Sequence, residues 1–209
     1  NAKVTGQAWY GDDVRLPNEI IGRIVRSPHH YAKVVSIDTS EAESLPGVIA
    51  VATGEDAPNK FGVLPVTKDE HAMAVEKVRH VGDLVACVAA VDEATAREAA
   101  SLIKVEYEVL DSIHDMKKGL EDVDEPIHWR GKYHVGSTNV QKRVFQEFGD
   151  RSMVENPNAM YHGKWKYMGV NHGFTEPHAV VAHWDSNGRL QLYTPQQVPH
   201  YAHRALATV

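Results

Sequence analysis

The chain has 209 residues, enough for one large or two small domains, and its 43% apolar and 24% charged content is that of an ordinary globular protein. A net charge of −6 argues against a surface that tracks nucleic-acid phosphates, and the single cysteine, Cys87, excludes a disulfide framework. No segment approaches the ~20 apolar residues of a membrane span, so neither nucleic acid nor membrane is expected as a partner.

The chain opens on Asn1-Ala-Lys-Val without an initiator Met or signal peptide, which reads as a trimmed or incomplete amino terminus. One thiol inside an apolar run suits a reducing, cytoplasmic setting. Gly11-Asp12-Asp13 marks a first turn. Residues 20–26 and 32–37 read as strands separated by Ser27-Pro-His-His30. Asp38, Thr39 or Ser40 can cap a short helix that ends at Leu45 before Pro46-Gly47, and residues 48–53 form another strand. Residues 54–81 are loop-rich, punctuated by Pro58, Gly62 and Pro65.

Residues 81–110 make the clearest structural statement in the chain. Residues 84–91 are nearly continuously apolar, as in a strand covered on both faces. Asp92 can accept from the free N–H groups of a first helical turn. Ala96, Ala99, Ala100 and Ile103 then share one helical face. From Lys104 the period changes to two, with Val105, Tyr107 and Val109 opposite Lys104, Glu106 and Glu108. Strand, helix and strand predict a βαβ-like unit, with a smaller copy of the same theme at residues 34–53.

After Leu110 periodicity weakens, and residues 111–138 read as an exposed linker. Residues 164–170, 179–185 and 189–194 are expected to be strands, the last two joined by the hairpin signal Asp185-Ser-Asn-Gly188. Residues 198–209 predict the beginning of a helix.

Chemistry-bearing signals are sparse. GxGxxG, a phosphate loop, GxSxG and paired CxxC are all missing from the 209 residues. His200 and His203 have helical spacing but no obvious third ligand, so surface histidines are the simpler expectation. Residues 170–178, Val-Asn-His-Gly-Phe-Thr-Glu-Pro-His, concentrate Asn171, His172, Glu176 and His178 around a restricting Pro177. A carboxylate with histidine neighbours could perform acid/base work or could anchor a turn by hydrogen bonding.

Five motifs in order carry a resemblance: Lys3-Val-Thr-Gly-Gln-Ala-Trp-Tyr10, Arg26-Ser-Pro-His-His-Tyr-Ala32, Leu45-Pro-Gly-Val-Ile-Ala-Val51, Val81-Gly-Asp-Leu-Val-Ala86 and Glu106-Tyr-Glu-Val-Leu110. They resemble the α/β hammerhead domain of the xanthine dehydrogenase/aldehyde oxidase family of molybdenum enzymes. Asn171-His-Gly-Phe-Thr-Glu-Pro177 and Gln196-Gln-Val-Pro199 resemble the opening of that family's molybdopterin-binding region. Gly62-Val-Leu-Pro65, Glu147-Phe-Gly-Asp150, Val170-Asn-His172 and Gln197-Val-Pro199 look most like the large subunit of 4-hydroxybenzoyl-CoA reductases.

The resemblance implies an α+β chain: a hammerhead domain over 1–115, a linker over 116–138 and a partial molybdopterin-binding domain over 139–209. It implies a molybdopterin (molybdenum) enzyme with [2Fe–2S] and FAD in partner subunits or domains, the remainder of the molybdopterin-binding subunit as a further partner, and ferredoxin as electron donor. The expected reaction is reductive dehydroxylation of 4-hydroxybenzoyl-CoA to benzoyl-CoA. The alternatives are hydroxylation of a purine, aldehyde or N-heterocycle, and a non-catalytic subunit that braces a separate molybdenum-bearing chain. Val170, His172 and Gln197 are expected near the molybdenum–pterin pocket, and Glu176 in a supporting catalytic role. Many hydroxylases of the family carry glutamine where Val170 stands, and valine donates no hydrogen bond. The family's glycine-rich pterin segment would lie beyond Val209, so this chain alone is expected to hold no cofactor and to self-associate through apolar surface.

Overall fold

The computed structural model describes residues 1–64, 66–129, 131–150, 152, 159 and 161–209. They form two units: Asn1–Val14 with Val144–Pro195, and Arg15–Arg143 with Gln196–Val209.

The second unit is built on strand β5 (Leu84–Ala90), flanked antiparallel by β1 (Ile21–Arg26) and β3 (Val48–Thr53). A second antiparallel sheet has the order β4 (Lys77–Val78), β2 (Ala32–Asp38), β6 (Lys104–Val109). Two helices join the sheets: α1 (Ser40–Glu43) leads from β2 to β3, and α2 (Glu93–Leu102) leads from β5 to β6.

The alternation of β5 explains its apolar run. Ala86 and Val88 belong to one buried cluster with Ala42, Ala99 and Ile103 of the helix layer. Val85 belongs to the other, with Ala32, Ala74 and Val78 of the second sheet and its surroundings. Both faces of the strand are covered, as expected. Val85 and Val88, 0% and 1% exposed, each contribute about 1.5–3 kcal/mol by leaving water, an upper estimate because the unfolded chain is itself partly collapsed. Ala42 and Ala99 are fully buried, and their small side chains let α1 and α2 approach one another.

The caps follow the sequence. Asp92 Oδ1 accepts from Thr95 N at 2.8 Å and starts α2. Asp38 Oδ1 accepts from Ser40 N at 3.1 Å ahead of α1. Gly47, at φ +94°, turns the chain into β3, and its carbonyl accepts from Val91 N at 2.9 Å.

Two expectations are corrected. The strand–helix–strand stretch is no parallel crossover, because β5 and β6 lie in different, wholly antiparallel sheets. Both hydrogen-bonding edges of β5 are taken by β1 and β3, so β6 pairs with β2 instead. Residues 164–170 form no strand: Trp165, Tyr167 and Val170 are 76%, 85% and 89% exposed in backbone without regular structure. Strand-favouring side chains need a partner strand and a covered face, and none of the described residues supplies them there. The hairpin beyond does form, with β7 (Val181–Trp184) paired to β8 (Leu190–Tyr193) and Asp185 Oδ1 accepting from Asn187 N and Arg189 N. Helix α3 (Pro199–Leu206) has proline in its first turn, where a missing N–H costs nothing.

The stretch after β6 is mostly exposed but tied down. Val123 N donates to Ser137 O at 2.8 Å, Asn139 N to Gly119 O at 3.1 Å, and Arg79 Nε to Ile127 O at 2.9 Å. Among the described residues no helix is long and apolar enough to cross a membrane.

Candidate functional site

Within the Asn1–Val14/Val144–Pro195 unit, Asn171 Oδ1 accepts from Gly173 N at 2.9 Å, and Gly173 takes φ +59°. This tight turn sets a row of rings. His172 stacks on Phe174 with centroids 5.1 Å apart, and Phe174 meets His178 edge-on at 5.7 Å. The imidazoles are therefore engaged with an aromatic ring rather than with the carboxylate of Glu176.

Glu176 is half-buried, and its Oε1 accepts from Gly11 N at 3.3 Å. A β-carbon at Gly11 would stand 3.3 Å from Pro195 Cδ and 3.4 Å from Ala179 O, so a side chain there would crowd this packing. The carboxylate thus joins the start of the chain to the turn before β7, the anchoring geometry that the sequence left open beside acid/base work. Val170 is 89% exposed and presents only apolar surface. Gln197 belongs to the other unit, where it is exposed at the approach to α3 beside Gln196, whose Oε1 accepts from Val198 N at 3.1 Å.

His200 and His203 are both exposed on α3. Among the described residues no group of three His, Cys, Asp or Glu side chains is placed to hold a metal ion. Cys87 is half-buried on β5, and burial pushes its thiol up from its ordinary range, which suits an inert side chain.

Sequence reasoning missed a buried carboxylate in the Arg15–Arg143/Gln196–Val209 unit. Asp69, 2% exposed, accepts from Trp129 N at 2.7 Å, lies 3.3 Å from His128 Nδ1, and has Arg79 at 4.0 Å. Lys77 and Glu125 pair nearby. Together they fasten the 123–129 stretch to β4 and its flanks. Asp69 sits in a loop-rich segment with no periodicity, so its burial left no local signal.

Two antiparallel sheets joined by two helices, with a separate hairpin and a further helix, make up the regular structure of the described residues. The family described as "Aldehyde oxidase and xanthine dehydrogenase, a/b hammerhead domain" matches residues 5–111, and "Molybdopterin cofactor-binding domain" matches residues 134–209. The chain belongs to the aldehyde oxidase and xanthine dehydrogenase family. It is 33% identical to the nicotinate dehydrogenase large molybdopterin subunit of Eubacterium barkeri over 95% of this chain and 45% of that protein. It is 31% identical to the xanthine dehydrogenase molybdenum-binding subunit of Escherichia coli O157:H7, over 98% of this chain and 28% of that protein. The aldehyde oxidoreductase from Desulfovibrio gigas superposes on all of it with a TM-score of 0.80 at 26% identity, across 24% of that structure. The chain therefore spans less than half the length of these relatives.

A pterin is a flat ring edged with donors and acceptors, and within the Asn1–Val14/Val144–Pro195 unit the exposed imidazole of His172 is a group that suits such an edge.

Proposed function

We propose that this chain supplies the hammerhead and the opening of the molybdopterin-binding region of a large, molybdenum-carrying subunit, and that the complete enzyme hydroxylates a planar N-heterocycle. The two family matches in sequence order carry the subunit assignment. The nicotinate and xanthine dehydrogenase relatives, both named for heterocyclic substrates, support the substrate class. Iron–sulfur and FAD subunits or domains complete the electron path.

When bound, the molybdenum–pterin group supplies two-electron redox chemistry. The roles of this chain are to border and to orient. Within the Asn1–Val14/Val144–Pro195 unit, His172, held by Phe174, offers a ring nitrogen and Val170 offers a surface that donates no hydrogen bond. Glu176 is a positioning residue that keeps the turn carrying His172 joined to Gly11.

A second reading, reductive dehydroxylation of 4-hydroxybenzoyl-CoA with ferredoxin electrons, is favoured by Val170 standing where many hydroxylases of the family carry glutamine. The deciding experiment is an assay of the native complex, with nicotinate and xanthine plus an electron acceptor in one arm and 4-hydroxybenzoyl-CoA plus a reduced donor in the other. Heterocycle-dependent reduction of the acceptor, with one hydroxyl added to the product, is the expected result. Release of benzoyl-CoA in the other arm would replace it with the second reading, and inactivity in both arms would overturn both.

A further inference from the structure

In the Arg15–Arg143/Gln196–Val209 unit, the loop before β4 lies against α3. Asn59 Nδ2 donates to Val209 O at 3.4 Å and ties the two together. Between them is a cleft of 420 Å³ whose lining includes Lys60, Phe61, Val63, Lys68, Tyr201 and Arg204. Three cations border it, and no carboxylate is among its described lining residues, in a chain whose net charge is −6. Like charges gathered without a counter-charge repel one another, and a bound anion relieves that repulsion.

Among the described residues, no ion pair joins Lys60, Lys68 or Arg204 to a carboxylate. Lys60 also borders a second cleft lined by the four carboxylates Asp69, Glu76, Asp124 and Glu125; Asp69 is engaged by Trp129 N, His128 and Arg79, Glu125 is engaged by Lys77, and none of the four lines the first cleft. The charge of Lys60 is felt instead at His71, which burial first and Lys60 second hold below the usual histidine range. The Arg204 guanidinium sits 4.8 Å from the Tyr201 ring centroid, a stacking that limits its freedom and leaves its planar fork of donors presented. One effect opposes an anion here, the negative end of α3, equivalent to about half an elementary charge. Its last carbonyls are already occupied: His203 O accepts from Ala207 N, Arg204 O from Thr208 Oγ1, and Ala205 O from Val209 N. Three whole positive charges outweigh it.

We propose that this cleft binds a phosphate-bearing ligand, its phosphate or diphosphate held by Lys60, Lys68 and Arg204 and its organic part resting on Phe61 and Val63. Charge-assisted hydrogen bonds from a guanidinium fork and two ammonium groups suit a phosphate dianion, and apolar side chains on one wall suit the body of an ester better than a bare ion. The site stands independently of the redox reading, because none of its residues is assigned to the reaction.

Calorimetric titration of the complete enzyme at low salt with ADP, coenzyme A, pyrophosphate and adenosine tests it. ADP and coenzyme A are expected to bind, adenosine to bind more weakly, and rising salt to weaken the phosphate-bearing probes. Coenzyme A binding more tightly than ADP would mark an acyl-thioester tail as the source, and equal binding a nucleotide. The variant Lys60→Gln/Lys68→Gln/Arg204→Gln should lower ADP affinity by about tenfold or more. If that variant misfolds, Lys68→Gln alone, at an exposed side chain, should show a smaller loss in the same direction while Lys68→Arg retains binding. Phe61→Ala should weaken ADP but leave pyrophosphate unchanged. No binding by any phosphate-bearing probe, ADP binding no tighter than adenosine, or ADP affinity unchanged in the folded cation variants would overturn the proposal.

Discussion

The hammerhead and the described residues between Val144 and Pro195 contain similar kinds of apolar side chains, yet among the described residues only the hammerhead buries them. In β5, Val85 and Val88 are 0% and 1% exposed, whereas Trp165, Tyr167 and Trp184 are 76%, 85% and 66% exposed. The difference lies in closure. The hammerhead strand has neighbours on both edges, helices on one face and a second sheet on the other. Among the described residues, strands β7 and β8 pair only with each other, and an isolated two-stranded hairpin is marginal in water. Hydrophobic sequence becomes stability only where topology provides a second layer.

The largest test of that contrast places the same charge in each region. Val88→Asp would set an unpaired carboxylate beside Ala42 and Ala99, and a loss of more than about 4 kcal/mol is expected, enough to remove the cooperative transition of the hammerhead. Trp184→Asp, on exposed surface, should change stability by about 0.5 kcal/mol or less. Urea unfolding followed by circular dichroism measures both, and similar losses would break the comparison.

A smaller pair of changes uses two left-handed glycines. Gly47→Ala adds a β-carbon 3.1 Å from Val91 Cγ2 and 3.2 Å from Thr95 Cγ2 at φ +94°, so strain and crowding together should cost about 2–3 kcal/mol. Gly188→Ala, at φ +73° with open space around it, should cost about 1 kcal/mol from backbone strain alone. Equal costs in thermal unfolding would show that packing around Gly47 contributes nothing.

Glu176 sharpens the role of the open region. Glu176→Ala removes the acceptor for Gly11 N and should cost about 1 kcal/mol, the low end for a charged acceptor given the 3.3 Å separation. Glu176→Gln keeps an oxygen there and should lose much less. Turnover per folded molecule in the complete enzyme should follow the same order if the residue positions the turn. A hundredfold or greater loss in Glu176→Gln alone, within the range of about 10²–10⁴ for a positioned acid or base, would instead make its charge part of the reaction.

The smallest effect is a pH dependence. The Thr95 backbone N–H holds Asp92 below the ordinary carboxylate range. A carboxyl group whose folded value is depressed adds stability that is fully present above its unfolded value and disappears as pH falls through the folded one. Stability of the parent should therefore fall more steeply than that of Asp92→Asn as acid crosses that window. Parallel acid-unfolding curves would remove the cap from the account of α2.

Much of the hammerhead was legible because its signals are local. The continuous apolar run of β5, the Asp92 cap, the small-residue face of α2 and the period of two in β6 each report an environment within a few residues. Strand β4 was not legible, since Lys77–Val78 is too short to show a period. The segment over 164–170 signals a strand it does not form, because its Trp, Tyr and Val side chains have strand propensity without a strand among the described residues to pair with. The candidate site was half legible. Residues 170–178 stood out as a concentration of functional groups, but their neighbours did not, because Gly11 is 165 residues from Glu176 in the chain.

By itself, the sequence determined most elements of the hammerhead: where its longer strands and helices start, which faces are apolar, and which short motifs are unusual. These follow from backbone propensity, capping and periodicity, all settled within one or two turns of chain. Only the tertiary structure decided which sheet each strand joins, that Asp69 is buried, that Glu176 reaches Gly11 and that Lys60, Lys68 and Arg204 border one cleft. Those outcomes depend on pairing and burial between residues far apart in sequence, where loop closure and the competition for strand edges choose among arrangements that local chemistry leaves equal.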